Sequence, residues 1–241
     1  MICRVFIIVV FLAINGFATS CQGSSHQDVT KKAPPNQRQD DMIRILALGD
    51  SYTKGESIKW GERWPLQLVT KLREQKMDVD NPLVVAETGW TTTDLMKAIE
   101  QTILVPPYDV VTLLIGVNDQ FQGYSEENYA SNFKKLLLKA ITLTGGSKDR
   151  VIVISIPDYG ITPFGKRFGP SRIRSEIDRF NEINKKIAEN KGVDYVNVTE
   201  ISRRASEDPT LLAPDGLHPS AKMYAEWVEL IVPVVKSSLQ K

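Results

Sequence analysis

Ser51 is the first residue of this chain with the setting of a nucleophile. It follows an apolar run, Ile45-Leu46-Ala47-Leu48, and the pair Gly49-Asp50. An α/β protein presents a reactive hydroxyl in this way, at the end of a buried strand, although serine is also an ordinary turn and cap residue. A serine hydroxyl attacks a carbonyl only when a base accepts its proton. The chain offers two histidines, His26 and His218. His26 stands in a polar stretch with nothing nearby to orient it. His218 closes the run Asp215-Gly216-Leu217-His218. That spacing puts a carboxylate within reach of one ring nitrogen, leaving the other to act as base near neutral pH. The same carboxylate would stabilise the imidazolium as it forms.

Two further groups complete this chemistry. Gly89, in Glu87-Thr88-Gly89-Trp90, has no side chain to keep its N–H away from a reacting oxygen. Asn118, in Gly116-Val117-Asn118-Asp119, brings an uncharged amide donor. Each has an ordinary reading when taken singly: a turn glycine, a helix-cap pair, an Asp-Gly turn at 215–216. Asp50 and Asp119 read as shapers of the loops through backbone hydrogen bonds rather than as reacting groups.

The elements that must position these residues follow from periodicity. Short apolar runs over 43–48, 82–87, 109–115, 150–156 and 194–198 read as strands. Amphipathic stretches over 61–75, 91–104, 126–144, 173–190 and 219–239 read as helices, with Thr91 or Thr92 as a cap, Pro219 in a first turn and an interruption at Pro233. Residues 201–213 read as irregular with a helical turn. Strand and helix alternate five times. This predicts an α/β protein with a five-stranded parallel sheet in a flavodoxin-like three-layer α/β/α sandwich. In such a sheet ligands bind beyond the carboxyl ends of the strands. Ser51, Gly89 and Asn118 follow the first three strands and are therefore expected on one rim.

Taken in order, Gly-Asp-Ser, a glycine after strand two, Gly-x-Asn-Asp after strand three and Asp-x-x-His near the end resemble the four blocks of the SGNH (GDSL-type) hydrolases. The blocks span residues 49–218, nearly the whole domain. The resemblance implies Ser51 as nucleophile, His218 as base and Asp215 as the acid that orients it. It implies Ser51 N–H, Gly89 N–H and the Asn118 amide as oxyanion donors. It also implies hydrolysis of carboxylic esters through an acyl-enzyme, with short-chain or carbohydrate acetyl esters foremost. A lysophospholipase or thioesterase activity, or a non-catalytic domain that binds acyl or glycan ligands, stands as the alternative.

Composition sets the remaining bounds. The chain of 241 residues carries a net charge of +1 with basic and acidic residues interleaved, which argues against a nucleic-acid partner. The only cysteines, Cys3 and Cys21, lie near the N-terminus. A disulfide framework, a cysteine-based zinc site and thiol catalysis are therefore excluded from the body of the chain. No cofactor or metal is expected. Residues 1–20 read as a signal segment: Arg4, an apolar run over 5–14, then Ala18, Thr19 and Ser20 before Cys21. The pattern resembles a bacterial lipoprotein signal with Cys21 as the lipidated residue; an ordinary secretory signal cut near 18–20 is the other reading. Residues 21–41 are polar and read as a flexible tether, with the catalytic domain at 42–241. The expected location is the bacterial cell envelope, or outside the cell, with membrane contact only through the N-terminal anchor. Aromatic residues near the predicted rim, Trp60, Trp90, Phe121, Tyr124, Tyr159 and Phe164, are candidates to stack on a sugar or line an acyl groove. The loop 157–170 is a candidate lid.

Overall fold

The computed structural model describes residues 42–241; the signal segment, Cys21, the tether and His26 lie outside the described residues. Five parallel strands form one sheet in the order β2-β1-β3-β4-β5: β1 Ile45–Gly49, β2 Leu83–Ala86, β3 Val110–Leu114, β4 Val151–Ile154 and β5 Asp194–Val196. This is the flavodoxin-type order, with its switch point between β1 and β3. Every residue of β1, β3 and β4 is buried, as expected of strands covered on both faces. The outer strands β2 and β5 are partly exposed. The register pairs Gly49 with Ala86 on one side and with Leu114 on the other. Three strands therefore end at one level, and the residues just beyond them share a rim.

Helices cover both faces: α1 Ser51–Lys54, α2 Trp64–Glu74, α3 Thr92–Gln101, α4 Val117–Phe121, α5 Glu126–Leu143, α6 Pro170–Lys191, α7 Thr199–Arg203 and α8 Ala221–Gln240. The apolar stripes of α2 and α8 pack together, with Trp64, Leu68, Leu72, Trp227 and Ile231 fully buried. On the other face α5 packs on α6, and the Tyr129 and Phe180 rings stack with centroids 4.5 Å apart.

The differences from the sequence reading have local causes. Pro219 precedes the last helix instead of opening it. Ser220 is the cap, its Oγ accepting from Met223 N, while Pro219 pairs with Leu212 in an isolated bridge. At Pro233, where a kink or an interruption is expected, the helix continues, and the buried stripe Trp227, Ile231 and Val235 holds it on both sides. Helix α4 was not anticipated. It is too short for periodicity to register. The 157–170 loop contains two 3-10 turns, Tyr159–Ile161 and Gly165–Phe168.

Candidate functional site

Beyond β1 the chain turns at once into α1. Asp50 caps that helix: its Oδ1 accepts from Tyr52 N at 3.0 Å and its carbonyl accepts from Thr53 N and Lys54 N. Ser51 thus sits at the first position of a tight strand-to-helix turn, with only 5% of its surface exposed. Asp50 is wholly buried, and burial pushes its carboxyl up to about 8, against the pull of the Tyr52 N–H and with a further push from Asp119. Burial thus favours the neutral form of this cap. The turn is anchored from behind by Tyr224 on α8, whose hydroxyl donates to the Tyr52 carbonyl at 2.9 Å.

Beyond β2, Gly89 adopts φ +84, a left-handed conformation that favours glycine. A Cβ built there meets nothing within 4 Å, so backbone conformation rather than crowding is what calls for glycine. The next residue but one, Thr91, caps α3 in a reciprocal capping box with Asp94.

Beyond β3, Gly116 turns the chain at φ +132, where a Cβ would lie 2.6 Å from the Tyr129 ring. It opens α4, which carries Asn118. The Asn118 amide donates to the Trp90 carbonyl at 2.9 Å, which ties the loop beyond β3 to the loop beyond β2. Asp119 is buried and accepts from Thr92 N at 2.9 Å and Thr92 Oγ1 at 2.5 Å. It shapes the same junction and does not face the cleft, as its sequence reading required.

The fourth piece is the turn before α8. Ala213 N donates to the His218 carbonyl at 2.7 Å and Gly216 N to the Ala213 carbonyl at 2.9 Å, closing a compact loop. Within it Asp215 Oδ1 accepts from Leu217 N at 2.9 Å and His218 N at 3.0 Å. Asp215 Oδ2 lies 2.6 Å from His218 Nδ1. Partial burial would raise the Asp215 carboxyl, but hydrogen bonds from Ser57, His218 and two backbone N–H groups outweigh it and lower it to about 2. Asp215 is thus a carboxylate throughout the neutral range. His218 is 8% exposed, and the Tyr52 ring packs edge-on against it at 5.8 Å.

These groups meet in one cleft of about 160 Å³, lined by Ser51, Gly89, Asn118 and His218 with an apolar wall of Val117, Phe121, Tyr159, Phe164 and Leu217. Of the residues expected at the site, Ser51, Gly89, Asn118 and His218 line the cleft and Asp215 lies directly behind His218. Among the described residues no hydrogen bond joins Ser51 Oγ to His218 Nε2; such bonds are often long without substrate and tighten when it enters. Of the six candidate aromatics, Phe121, Tyr159 and Phe164 reach the cleft. Trp60 instead stacks under the Arg63 guanidinium, and Trp90 packs against the core. Phe168, missed in the sequence, extends the wall: it meets Phe164 at 5.0 Å and Phe121 at 5.8 Å. Tyr159 is fixed by its hydroxyl, which donates to Gln120 Oε1 at 2.9 Å. A larger groove of about 640 Å³, along α6 and β5, contains none of these groups.

Comparison with known proteins bears on the family and the fold. Residues 47–226 match the model of the GDSL-like lipase/acylhydrolase family. An arylesterase from Vibrio mimicus is 27% identical over 179 residues, which are 73% of this chain and 80% of that protein. Among solved structures, a lipase/acylhydrolase from Enterococcus faecalis superposes with a TM-score of 0.64 at 20% identity, covering 81% of this chain and 96% of its own. A variant of an acetyl xylan esterase from Geobacillus stearothermophilus gives 0.63 at 19% identity, covering 80% and 94%. The two structures support the fold.

Proposed function

The chain belongs to the GDSL-like lipase/acylhydrolase family and is a carboxylic ester hydrolase; from that premise we propose that it cleaves small esters through an acyl-enzyme on Ser51. What carries this reading is the 2.6 Å contact between Asp215 Oδ2 and His218 Nδ1, made in the wall of the cleft that Ser51 lines. With Nδ1 engaged as the donor to a carboxylate, the ring presents Nε2 as the acceptor. His218 takes the proton of Ser51 Oγ as the oxygen attacks the carbonyl carbon. The charge that develops on the carbonyl oxygen is met by the N–H groups of Ser51 and Gly89 and by the amide of Asn118. The tetrahedral species collapses, the alcohol leaves with the proton from His218, and the acyl group stays on Ser51. Water then attacks the acyl carbon from the side the alcohol left as His218 takes its proton, the bond to Ser51 Oγ breaks, and His218 returns the proton to Ser51 as the acid is freed. Asp215, a carboxylate across the neutral range, stabilises the imidazolium in both halves without taking its proton.

The apolar wall guides the choice of substrate. Val117, Phe121, Tyr159, Phe164 and Leu217 offer a small aromatic face and no buried cation, which suits a short acyl chain or an aryl alcohol. Acetylated carbohydrates are the second reading. Phe121 and Phe168 are 49% and 42% exposed, leaving flat faces on which a sugar ring can stack. The test is a p-nitrophenyl series from acetate to octanoate together with an acetylated xylooligosaccharide, using wild type and Ser51→Ala. Turnover should fall with chain length and be lost in Ser51→Ala, and pre-steady-state traces should show a burst of p-nitrophenol. Equal rates from the two proteins would reject a Ser51 acyl-enzyme. Preference for octanoate would favour a lysophospholipase- or thioesterase-type enzyme.

We also propose export, with Cys21 lipidated and residues 21–41 as a tether; the support is the sequence pattern around Cys21. Intact-mass analysis of the mature protein should find a diacyl- or triacyl-cysteine at its N-terminus. An unmodified terminus would leave simple secretion.

A further inference from the structure

The segment just past the serine turn contains a residue that the mechanism above does not use. Ser57 has φ +64, and Lys76 is the only other non-glycine residue with positive φ among the described residues. An L-residue adopts this conformation at a conformational cost, and where it persists the surroundings hold it there. Ser57 is exposed, so packing does not account for it. Its side-chain hydrogen bond does: Ser57 Oγ donates to Asp215 Oδ2 at 2.6 Å, across 158 positions of sequence. An ionised carboxylate only accepts, so the direction of this bond is fixed.

The same oxygen of Asp215 also faces His218 Nδ1. Asp215 Oδ1 is already occupied by Leu217 N and His218 N. Among the described residues, Ser57 therefore supplies the only hydrogen bond to Asp215 from outside the 215–218 turn. Without it, Oδ2 of a side chain that is 28% exposed would rest on the imidazole alone. The hydrogen bond from Ser57 is among those that lower the Asp215 carboxyl.

The neighbours of Ser57 tie the same segment to the opposite side of the cleft. Glu56 accepts from Thr88 Oγ1 and pairs with Lys54 Nζ at 3.2 Å, and Lys54 also pairs with Glu87. Thr88 is the residue before Gly89. Residues 54–57 thus run from the serine turn to the Gly89 loop on one side and to the Asp215 carboxylate on the other.

We propose that Ser57 is a positioning residue for Asp215, holding the carboxylate against the His218 ring, and that the left-handed turn at 57 is retained because it delivers that hydroxyl. This rests on the reading of Asp215 as the orienting acid.

Two substitutions separate the hydroxyl from the backbone. Ser57→Ala removes the hydroxyl and still bears the cost of a left-handed backbone, whereas Ser57→Gly removes the hydroxyl and lifts that cost. With p-nitrophenyl acetate, both should lose about 10-fold in kcat, the low end for a bond to a charged group at an exposed site, with KM nearly unchanged. Their melting temperatures should diverge, Ser57→Gly melting above Ser57→Ala. In an Asp215→Asn background, Ser57→Ala should add no more than a two-fold loss, because its effect passes through the carboxylate. The proposal is overturned if kcat in Ser57→Gly returns to that of wild type, if both variants stay within two-fold of wild type because water replaces the hydroxyl, or if Ser57→Ala costs its full factor on top of Asp215→Asn. Should Asp215→Asn itself keep wild-type kcat, the assignment of Asp215 falls and the proposal with it. A loss in Asp215→Asn alone would remove Ser57 from the mechanism and leave the acid in place.

Discussion

Replacing Asn118 with alanine puts the oxyanion side of the cleft to a quantitative test. The Asn118 amide nitrogen carries two hydrogens, and one is committed to the Trp90 carbonyl at 2.9 Å. That bond positions the side chain. The second hydrogen is available to an oxygen in the cleft that Asn118 lines. A neutral ester carbonyl uses it weakly. The tetrahedral species, with a full negative charge on that oxygen, uses it strongly. Loss of such a donor costs about 2.7–4 kcal/mol of transition-state stabilisation, or about 10²–10³-fold in rate. Asn118 is partly exposed, so a value near 10²-fold is expected. The loss should fall on kcat, with KM for p-nitrophenyl acetate changing by less than about three-fold. Stability should change little: one hydrogen bond to a carbonyl is worth about 1 kcal/mol, or about 2–4 °C in a domain of this size. Steady-state kinetics and a thermal melt on the same preparation measure both. A kcat within five-fold of wild type, or a loss confined to KM, would refute the assignment. So would a melting temperature that collapsed with the activity, since Asn118 would then be structural. Asn118→Asp, which sets a negative charge against the developing oxyanion, should be the slower of the two variants.

Asp50 gives a pH prediction whose sign follows from burial. Its folded carboxyl sits at about 8 instead of 3.8, so the folded state keeps a proton that the unfolded state gives up. The stability this contributes is fully present below pH 3.8 and is lost as pH rises to about 8, a span worth on the order of 5 kcal/mol. Asp50→Asn keeps an oxygen for the Tyr52 N–H and cannot titrate, so its stability relative to wild type should grow from pH 4 to 8 and then level off; a flat difference in urea melts across that range would contradict this. Gly116→Ala must take up φ +132 with its Cβ 2.6 Å from the Tyr129 ring, and should be destabilised by about 3 kcal/mol with activity reduced in step through α4. Wild-type stability in that variant, read from the same denaturant melts, would show that the turn can move aside.

Most of the fold could be read before any coordinates. The runs of β1, β3 and β4 are continuous because these strands are covered on both faces, and the helices show their buried stripes at regular spacing. Helix α4 and the 3-10 turns around 157–170 could not be read, because so few residues display no period. At the ends of α8 local proline rules are not enough: Ser220 rather than Pro219 caps the helix, and a buried apolar stripe carries it through Pro233.

The sequence by itself pointed to the reacting groups proposed above. With His26 in the polar segment, His218 is the one histidine of residues 42–241, and Asp215 lies against it because both belong to one turn. Chain order along a parallel sheet also brought Ser51, Gly89 and Asn118 to one rim, since parallel strands end at a common edge and the register aligns Gly49, Ala86 and Leu114. Only the tertiary structure decided what surrounds those groups. The aromatic wall combines Phe121 from α4 with Phe164 and Phe168 from the loop before α6, and Ser57 reaches Asp215 across 158 residues. Such pairings leave no trace in spacing, because a contact between distant segments depends on how the chain returns to the same place, not on any local pattern that the residues carry.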